Sequence, residues 1–352
     1  MTLKKLRRKI DGIDSAILKL LNQRAKTAIE IGEIKKEMKA DSYTLSRELE
    51  ILRRLSGVNK GPLPDEYLKN IYREILSASR ILQGPMTVTY WGPEASFTHL
   101  AAVQHFGSAA RFVPIRSIAE VFSEVEKGRA KCGVVPIENS TEGVVNYTLD
   151  MLIDSDLKIC AEIMLKISQN LVTRAKSISQ IRRLYTNSQA ISQSRTWVEK
   201  NLPLVEIHDV STTAEAARLV QHDSKAGAIA SKLAAERYNL RILAEGIEDI
   251  ADNYTRFLVI GKQMSGKTGN DKTSLMLSVK DHVGALYEML EPFRTNKLNL
   301  TNIESRPSRK KAWDYYFFID FQGHIQDKPV IKALNQLKDK CVFLKVLGSY
   351  SK

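Results

Sequence analysis

The sequence is poor in the features that identify several common protein classes. Its 3 cysteines, Cys132, Cys160 and Cys341, are scattered without the spacing of a disulfide framework or a metal site. Its 6 histidines form no ligand motif, so we expect no metal ion. No apolar run approaches the length of a membrane span, and no continuous apolar segment near the N-terminus indicates a signal peptide. These absences predict a protein of the reducing cytoplasm with no membrane partner.

Positive charge is present in excess. The formal net charge is +13, and residues 1–60 hold 15 Lys/Arg against 8 Asp/Glu. Such an excess suits nucleic acid, small anionic substrates, or solubility alone. Because no nucleic-acid-binding motif accompanies the charge, we rank nucleic acid below small anions and expect no nucleic-acid partner. A steep salt dependence of DNA or RNA retention would favour the opposite interpretation.

The first 84 residues predict an all-helical unit. Apolar residues three and four positions apart indicate one long helix from about Leu3 to Lys39, followed by shorter helices at Leu45–Leu55 and Asp65–Gln83. A helix of about 55 Å cannot bury its apolar stripe against two short partners. We therefore expect two copies of the chain to pair through it, in a homodimer or a higher homo-oligomer.

Two cations share the apolar face of the long helix. Arg24 occupies a position of the apolar stripe, and Lys35, 11 residues further on, lies about 20° from the same face. A charge in this place is costly unless it is paired. Snorkelling, or pairing with an acid of a neighbouring helix, would explain it. The alternative is a pocket for a small anion between helices.

Residues 86–262 alternate strands with helices and predict an α/β domain. Five strand ends place Ser, Thr, Asn or Gln where a helix begins, in "YWGPEASFTHL", "PIENSTEG", "YTNSQA", "DVSTTAEAA" and "AIASKLAA". Each turn alone is explained as an N-cap. Five together predict an anion-binding cleft, because backbone N–H groups at helix N-termini bind anions. Two such lobes facing one another would also suit a solute-binding protein.

The segment after the α/β domain fits a phosphate-binding motif by its letters alone. Gly261–Thr268, "GKQMSGKT", matches the P-loop frame. A P-loop requires a helix that begins at its Lys-Thr end, whereas the residues that follow are typical of a turn and a strand. We interpret the match as chance in a Gly/Lys-rich linker, with nucleotide binding as a minor alternative.

Residues 273–352 predict the order βαββαβ, which is typical of a ferredoxin-like sandwich. No cluster of acid, base and nucleophile accompanies it. The pattern therefore favours ligand sensing or dimerisation over chemistry.

These motifs, in this order, resemble one known family. The whole chain is similar to the bifunctional chorismate mutase–prephenate dehydratases of phenylalanine biosynthesis. The resemblance depends on "LRRKID", "RAKTAIEIGEIKK", "SREL" and "SASRILQ" in the first part, on "GPEASFTHLAA", "VVPIENSTEG", "STTAEAA" and "DNYTRFLVIG" in the second, and on "GALYEML" and "ESRP" in the third. It implies an all-helical chorismate mutase domain at 1–84, a two-lobed, periplasmic-binding-protein-like dehydratase domain at 86–263, and an ACT regulatory domain at 272–352.

The resemblance assigns a chorismate site to the first part. Chorismate is a dianion that rearranges in one intramolecular step, so the site needs positioning and charge stabilisation but no nucleophile. The implied roles are as follows: Arg7, Arg24 and Arg47 grip the carboxylates, Lys35 and Gln83 donate to the ether oxygen, Glu48 binds the hydroxyl, and Ser79 binds a carboxylate. Arg7 would reach the site of a partner chain. Thr44 stands where the family usually has an aspartate, and it can still bind a hydroxyl.

The resemblance assigns a prephenate site to the second part. Thr255 would donate to the leaving hydroxyl, with the ring carboxylate departing as CO2. Two residues, Arg256 and Phe257, are implied to shape the floor of the cleft. The residues implied to line it are Glu138, Asn139, Ser140, Gln189, Ser211 and Thr212.

The third part would bind phenylalanine as an allosteric inhibitor. The implied effector residues are Gly284, Ala285, Leu286, Asn299, Leu300, Glu304 and Ser305. No cofactor is implied for either reaction. Arogenate dehydratase activity and a catalytically dead, small-molecule-binding regulator remain alternatives from the residues alone.

Overall fold

A computed structural model describes residues 2–38, 45–308 and 315–352, apart from the side chain of Leu45. The chain divides into two compact units. Unit 1 comprises Met1–Thr87 with Phe106–Arg111, and unit 2 comprises Val88–His105 with Phe112–Lys352. Among the described residues, no helix combines the length and the apolar character needed to cross a membrane.

Unit 1 contains three helices, as the sequence predicts. They are α1 (Leu3–Glu37), α2 (Leu45–Val58) and α3 (Asp65–Gln83). Two acidic residues in the first turn of α3 favour its start, because they complement the positive end of the helix dipole. The second helix ends at Val58 and not at Leu55, since Gly57 is accommodated within it.

The long helix of unit 1 leaves most of its apolar stripe exposed. Leu3 is 65% exposed, Ile10 56% and Ile17 49%. Only Ala28 and Gly32 of this helix are buried. At Gly32 the helix approaches α3 so closely that a Cβ atom would lie 2.8 Å from Cα of Gln83.

Unit 2 begins with a sheet whose strand order is β2-β1-β3-β11-β5, with β4 paired to β3. Its strands are β1 (Thr87–Trp91), β2 (Arg111–Ile115), β3 (Cys132–Asn139), β4 (Gly143–Val144), β5 (Lys158–Lys166) and β11 (Tyr254–Gly261). The helices between them are α4 (Phe97–Phe106), α5 (Ile118–Glu126) and α6 (Asn146–Asp154). This sheet is the first lobe.

A second sheet, of order β10-β6-β9-β7-β8, forms the other lobe. Its elements are β6 (Asn170–Thr173), a 3₁₀ turn (Ile178–Gln180), β7 (Arg183–Thr186), α7 (Ser188–Gln193), α8 (Arg195–Asn201), β8 (Glu206–Asp209), α9 (Thr213–Val220), β9 (Ala226–Ala230), α10 (Lys232–Arg237) and β10 (Arg241–Ala244). The chain passes from the first sheet to the second after β5 and returns before β11. The predicted two-lobed α/β architecture is therefore confirmed.

Four of the five polar turns open a helix directly, whereas in the fifth the short strand β4 comes between the turn and α6. Ser96, Asn187, Thr212 and Ser231 each accept a hydrogen bond from a backbone N–H three residues ahead. After β3, however, the chain forms a hairpin with β4. Asn139 Oδ1 accepts from the backbone N–H of both Thr141 and Glu142, which closes a turn in place of a helix start.

The C-terminal part of unit 2 is the predicted βαββαβ sandwich. It contains β12 (Asp271–Val279), α11 (Ala285–Thr295), β13 (Leu300–Pro307), β14 (Tyr315–Gln322), α12 (Lys328–Lys340) and β15 (Cys341–Ser351), in the sheet order β13-β14-β12-β15. β12 begins at Asp271, three residues after the "GKQMSGKT" segment ends. No helix begins at Lys267–Thr268, so the P-loop match lacks the element that its mechanism requires.

One face of this C-terminal sheet packs against the first lobe. Met276, Phe318 and Tyr350 share a buried apolar cluster with Ile159 and Leu258 of that lobe. The other face packs on α11 and α12 around a second cluster. The C-terminal sheet is therefore a layer of unit 2 whose two faces have different neighbours.

Two cationic side chains of the C-terminal sheet bond to α6 of the first lobe. Arg306 on β13 makes a two-pronged ion pair with Asp150, at 2.8 and 3.0 Å. Nζ of Lys345 on β15 donates to the carbonyl oxygens of Leu152, Ile153 and Ser155. These carbonyls belong to the last turn of α6 and the residue after it, where a cation is favourable.

Candidate active sites

Unit 1 brings several of the predicted chorismate residues into one cluster between α1, α2 and α3. The Arg24 guanidinium on α1 donates to the hydroxyl of Ser79 on α3. Ser79 Oγ in turn donates to the carbonyl oxygen of Ile75 at 2.7 Å, which fixes its rotamer. An arginine and a buried hydroxyl thus lie together on the surface where α1 meets α3.

Glu48 of α2 completes the cluster. Its carboxylate lies 3.2 Å from Nε of Arg80, whose side chain is almost fully buried. Burial raises the pKa of Glu48 above its ordinary value, although the charges of Arg80, Arg24 and Lys35 lower it in part. Arg24, Lys35 and Glu48 therefore act on one another electrostatically, as members of one site should.

Gln83 lies at the closest contact between α1 and α3. Its side chain packs against the position that a Cβ of Gly32 would occupy. Among the described residues, the buried side-chain oxygen of Gln83 has no hydrogen-bond partner. A buried carboxamide oxygen without a partner is costly. It accepts hydrogen bonds, so only a donor group of a ligand would satisfy it, whereas Nε2 is the atom of Gln83 that can donate to a ligand.

Two predicted chorismate residues lie outside this cluster. Arg47 on α2 is 61% exposed and pairs with Glu50 at 2.7 Å. Arg7 is exposed near the start of α1, about 25 Å along the helix from Arg24. A third, Thr44, lies outside the described residues. One chain therefore presents only part of the predicted set.

A cavity of about 460 Å³ lies between the two lobes of unit 2. Strands β3 and β11 and the start of α4 line it from the first lobe, and the starts of α7 and α9 line it from the second. Six predicted prephenate residues line it: Asn139, Gln189, Ser211, Thr212, Thr255 and Phe257. It is the predicted cleft between polar helix starts.

Thr255 is oriented by Asn139 on the neighbouring strand. Asn139 Nδ2 donates to Oγ1 of Thr255 at 2.8 Å and to Oδ1 of Asn253 at 2.9 Å. The threonine hydroxyl therefore accepts from the amide, and among the described residues it has no acceptor for its own proton. This geometry leaves the hydroxyl able to donate to a group bound in the cavity.

Ser140 supports this arrangement from beside the cavity. Its Oγ accepts from the backbone N–H of Tyr254 at 2.9 Å, and its own backbone N–H donates to the carbonyl oxygen of Tyr254 at 2.8 Å. Ser140 therefore fixes the chain next to Thr255 and does not line the cavity.

Two predicted prephenate residues face away from the cavity. Glu138 and Arg256 are neighbours across β3 and β11. Because side chains alternate along a strand, they project to the face opposite Asn139 and Thr255, toward the C-terminal sheet. There they line a small cavity of about 30 Å³ together with Asp320 and Glu304. The expectation that Glu138 and Arg256 line the cleft is therefore wrong for this structure.

Sequence comparisons match the three parts of the chain in order. Family models match as "Chorismate mutase type II" at residues 6–84, "Prephenate dehydratase" at 88–265 and "ACT domain" at 273–339. The bifunctional chorismate mutase/prephenate dehydratase of Aquifex aeolicus is 51% identical over 99% of this chain and 98% of its own. That of Pseudomonas aeruginosa is 43% identical over the same shares.

This chain belongs to the bifunctional chorismate mutase/prephenate dehydratase family. Among solved structures, unit 2 of this family member is similar to the prephenate dehydratase of Arthrobacter aurescens in complex with L-Phe. The TM-score is 0.70 at 36% identity, over 76% of this chain and 90% of that one. The prephenate dehydratase of Staphylococcus aureus gives a TM-score of 0.67 at 30% identity, over 76% and 100%.

In this chain, the predicted effector residues occupy two faces of the ACT domain. Gly284 has a φ of 89° and precedes α11, and Ala285 and Leu286 follow it. Ser305 on β13 is exposed, whereas its neighbour Glu304 faces the dehydratase sheet.

The remaining two effector residues lie at the start of β13. Asn299 is exposed, and Leu300 packs on the apolar cluster beneath α11. One ACT domain therefore does not gather the whole predicted set around a single point.

The sequence did not point to several residues that the fold places in the mutase cluster or in the cavity between the lobes. Arg80 of "SASRILQ" is the ion-pair partner of Glu48. It could have been found from its position three residues before Gln83, because residues with this spacing share one face of a helix. The missed cavity residues include Trp91, Ser96, Thr98, Asn187 and Thr213. Most of these lie within or beside the quoted motifs, where helix-start chemistry marks them.

Proposed function

We propose that this chain rearranges chorismate to prephenate in unit 1 and converts prephenate to phenylpyruvate in the cleft of unit 2, with phenylalanine as feedback inhibitor. The observation that carries the proposal is the orientation of Thr255 by Asn139 on the wall of a two-lobed cavity. Family membership over the full length of the chain supports the same pair of reactions. The scattered positions of the three cysteines suit a cytoplasmic location.

In the mutase reaction, the enzyme holds chorismate in its folded conformer. Arg24 and Ser79 would bind one carboxylate, while Lys35 and Gln83 donate to the ether oxygen, on which negative charge develops. Glu48, held by Arg80, would accept from the substrate hydroxyl. Every group acts by binding or hydrogen bonding, because the C–O bond breaks and the C–C bond forms within the substrate.

The mutase site would be completed by a second copy of the chain. The long helix exposes an apolar stripe that a matching helix could cover. A twofold arrangement would bring the partner's Arg7 to the second carboxylate. Arg47 would turn from Glu50 toward the same anion, since an exposed ion pair is worth less than about 1 kcal/mol.

In the dehydratase reaction, the ring carboxylate leaves as CO2 and the ring hydroxyl leaves as water. The electron pair of the breaking C–C bond moves into the ring, the C–O bond breaks, and the departing oxygen takes up a proton. Thr255 would donate a hydrogen bond to that oxygen and so lower the barrier to its departure. Gln189, Ser211 and Thr212, at helix starts, would bind the pyruvyl carboxylate.

Phenylalanine would act through the ACT domain. Its ammonium and carboxylate groups would be bound near Gly284–Leu286 and near Asn299, Leu300, Glu304 and Ser305. These groups lie apart in one chain, so a site between two ACT domains would gather them. Inhibition requires that phenylalanine binds a low-activity arrangement more tightly than the active one.

The decisive experiment supplies chorismate alone to purified wild-type, Thr255→Val and Arg24→Ala proteins. The wild type should form phenylpyruvate, and phenylalanine should slow it. Thr255→Val should accumulate prephenate, because dehydration slows by roughly 10²–10⁴ when a positioned donor is removed. Arg24→Ala should leave chorismate unchanged but still consume added prephenate.

Tyr254→Phe is the matched control, because it removes a neighbouring hydroxyl from the same strand. It should dehydrate prephenate like the wild type. Normal dehydration by Thr255→Val would refute the role of that hydroxyl. Faster turnover of arogenate than of prephenate would assign the cleft to the amino analogue instead, and absence of any turnover would indicate a binding protein.

A further inference from the structure

The side chain of Arg256 joins two sheets of unit 2. Its Nε lies 2.8 Å from Oε2 of Glu162 on β5, in the dehydratase sheet. Its Nη2 lies 2.6 Å from Oδ2 of Asp320 on β14 and donates to the hydroxyl oxygen of Tyr350 on β15 at 3.1 Å. One guanidinium group is therefore bonded to the catalytic sheet and to the ACT sheet at once.

The network around Arg256 is buried and nearly balanced in charge. Nζ of Lys272 lies 2.8 Å from the same oxygen of Glu162, and Ser274 Oγ donates to Asp320 at 2.5 Å. The side chains of Arg256 and Asp320 are both only 10% exposed. Burial disfavours the charge of Arg256, but Asp320, Tyr350 and Glu162 outweigh it, so its pKa lies above the ordinary value.

A buried ion network of this kind is by itself weak evidence of a contribution to stability. Apolar residues of similar volume often stabilise a fold as well or better, because charges are costly to remove from water. What the network provides is a fixed position for the strand that carries it. Arg256 stands between Thr255 and Phe257, which both line the cleft, and strand β11 also has an irregular register against β3 between Arg256 and Phe257.

We propose that Arg256 is a positioning residue for the dehydratase reaction. Its bonds to Asp320 and Tyr350 of the ACT sheet hold β11 where the Thr255 hydroxyl meets the leaving hydroxyl of prephenate. The ACT sheet thus supports the catalytic threonine in addition to its regulatory role. This inference rests on the dehydratase function proposed above.

The test compares Arg256→Gln and Asp320→Asn with the wild type in prephenate turnover. Asp320→Asn keeps the size of the side chain, Arg256→Gln shortens it, and both remove the ion pair. We expect each to lower kcat by about tenfold or more, because a small misplacement of a reacting group is costly. KM should change by less than about threefold, since neither side chain touches the cavity.

Two further variants test the assigned contact. The double variant should be little worse than Arg256→Gln alone, because both changes remove one shared interaction. Arg256→Lys should recover part of kcat. Its ammonium group can pair with Asp320 but cannot make all the hydrogen bonds of the guanidinium group.

Lys345→Met is the matched control. It also removes a cation that joins the ACT sheet to the first lobe, but its bonds go to the last turn of α6 and not to β11. Its kcat and KM for prephenate should match those of the wild type. If Lys345→Met loses as much kcat as Arg256→Gln, general docking of the domains explains the effect and the proposal is wrong.

Further outcomes would overturn the positioning role of Arg256 or the dehydratase function itself. Wild-type protein that fails to consume prephenate would refute the proposed dehydratase function, before the variants are compared. Folding of each variant is checked by thermal melting, and if Arg256→Gln does not fold, Asp320→Asn decides alone. A folded Asp320→Asn with wild-type kcat overturns the proposal. A raised KM with unchanged kcat in Arg256→Gln overturns it too, because that pattern indicates direct contact with the substrate.

Discussion

In the mutase cluster, the charge of Glu48 depends on pH. Burial raises the pKa of Glu48, which Arg80, Arg24 and Lys35 only partly offset. On acidification, Glu48 therefore loses its charge at a higher pH than an exposed glutamate does, and Arg80 loses its counter-ion. If the mutase activity of the wild type falls at acidic pH, protonation of Glu48 contributes to that fall.

The carboxamide of Gln83 gives the first prediction. Gln83→Glu places a carboxyl where the carboxamide oxygen is buried without a partner among the described residues. Only its protonated form can donate to the ether oxygen of chorismate. Its activity should therefore be present below the pKa of the new carboxyl and lost as the pH rises through it.

The measurement is the ratio of variant to wild-type mutase activity across pH, because the ratio cancels the contribution of Glu48. The ratio should rise steadily as the pH falls. Dehydration of added prephenate by the same samples should be unaffected. A ratio that stays constant would contradict the role of Gln83 as a donor.

At the scale of elements, the mutase cluster depends on the close approach of α1 and α3. Gly32→Ala would place a Cβ 2.8 Å from backbone Cα of Gln83, so the helices must separate. Overpacking of this kind costs about 1–3 kcal/mol, which exceeds the gain of roughly 1 kcal/mol from replacing a helical glycine. We expect a lower temperature of mutase half-inactivation and reduced mutase activity.

Gly12→Ala is the matched control on the same helix. Apart from the adjoining backbone of α1, no atom of the described residues lies within 4 Å of its added Cβ. It should keep mutase activity and be as heat-resistant as the wild type or more so. Equal heat resistance of the two alanine variants would show that α1 and α3 do not pack as closely as described.

At the scale of the whole molecule, the exposed stripe of α1 and the distant Arg7 predict a mutase site shared between two chains. Arg7→Ala and Arg24→Ala should each be inactive as mutases alone. In a mixed dimer, the Arg24→Ala chain supplies an intact Arg7 to the intact Arg24 of the other chain. After the two variants are unfolded and refolded together, about one quarter of the wild-type mutase sites should return.

The same mixture without co-refolding is the reference, since exchange of subunits is then limited. Mixing two samples of Arg24→Ala should restore nothing. If co-refolded Arg7→Ala and Arg24→Ala remain inactive while still forming dimers, Arg7 does not serve the partner's site.

The sequence by itself determined the elements and their order. Helical spacing of apolar residues predicted α1 and α3, and the alternation of strands with polar turns predicted the two lobes, because these are local properties of the chain. Motifs also indicated Thr255, Asn139, Arg24 and Glu48. At the turn after β3, local hydrogen bonds of Asn139 close a hairpin, so the helix of that segment begins only after β4.

Only the tertiary structure decided which side of a strand meets the cleft. Alternation along β11 requires that Thr255 and Arg256 point to opposite faces, but the motif "TRF" does not say which face is which. The answer depends on Tyr350, 94 residues from Arg256 along the chain, and on Asp320 of another strand. Such contacts follow from the packing of distant segments, and local patterns in a sequence carry no information about them.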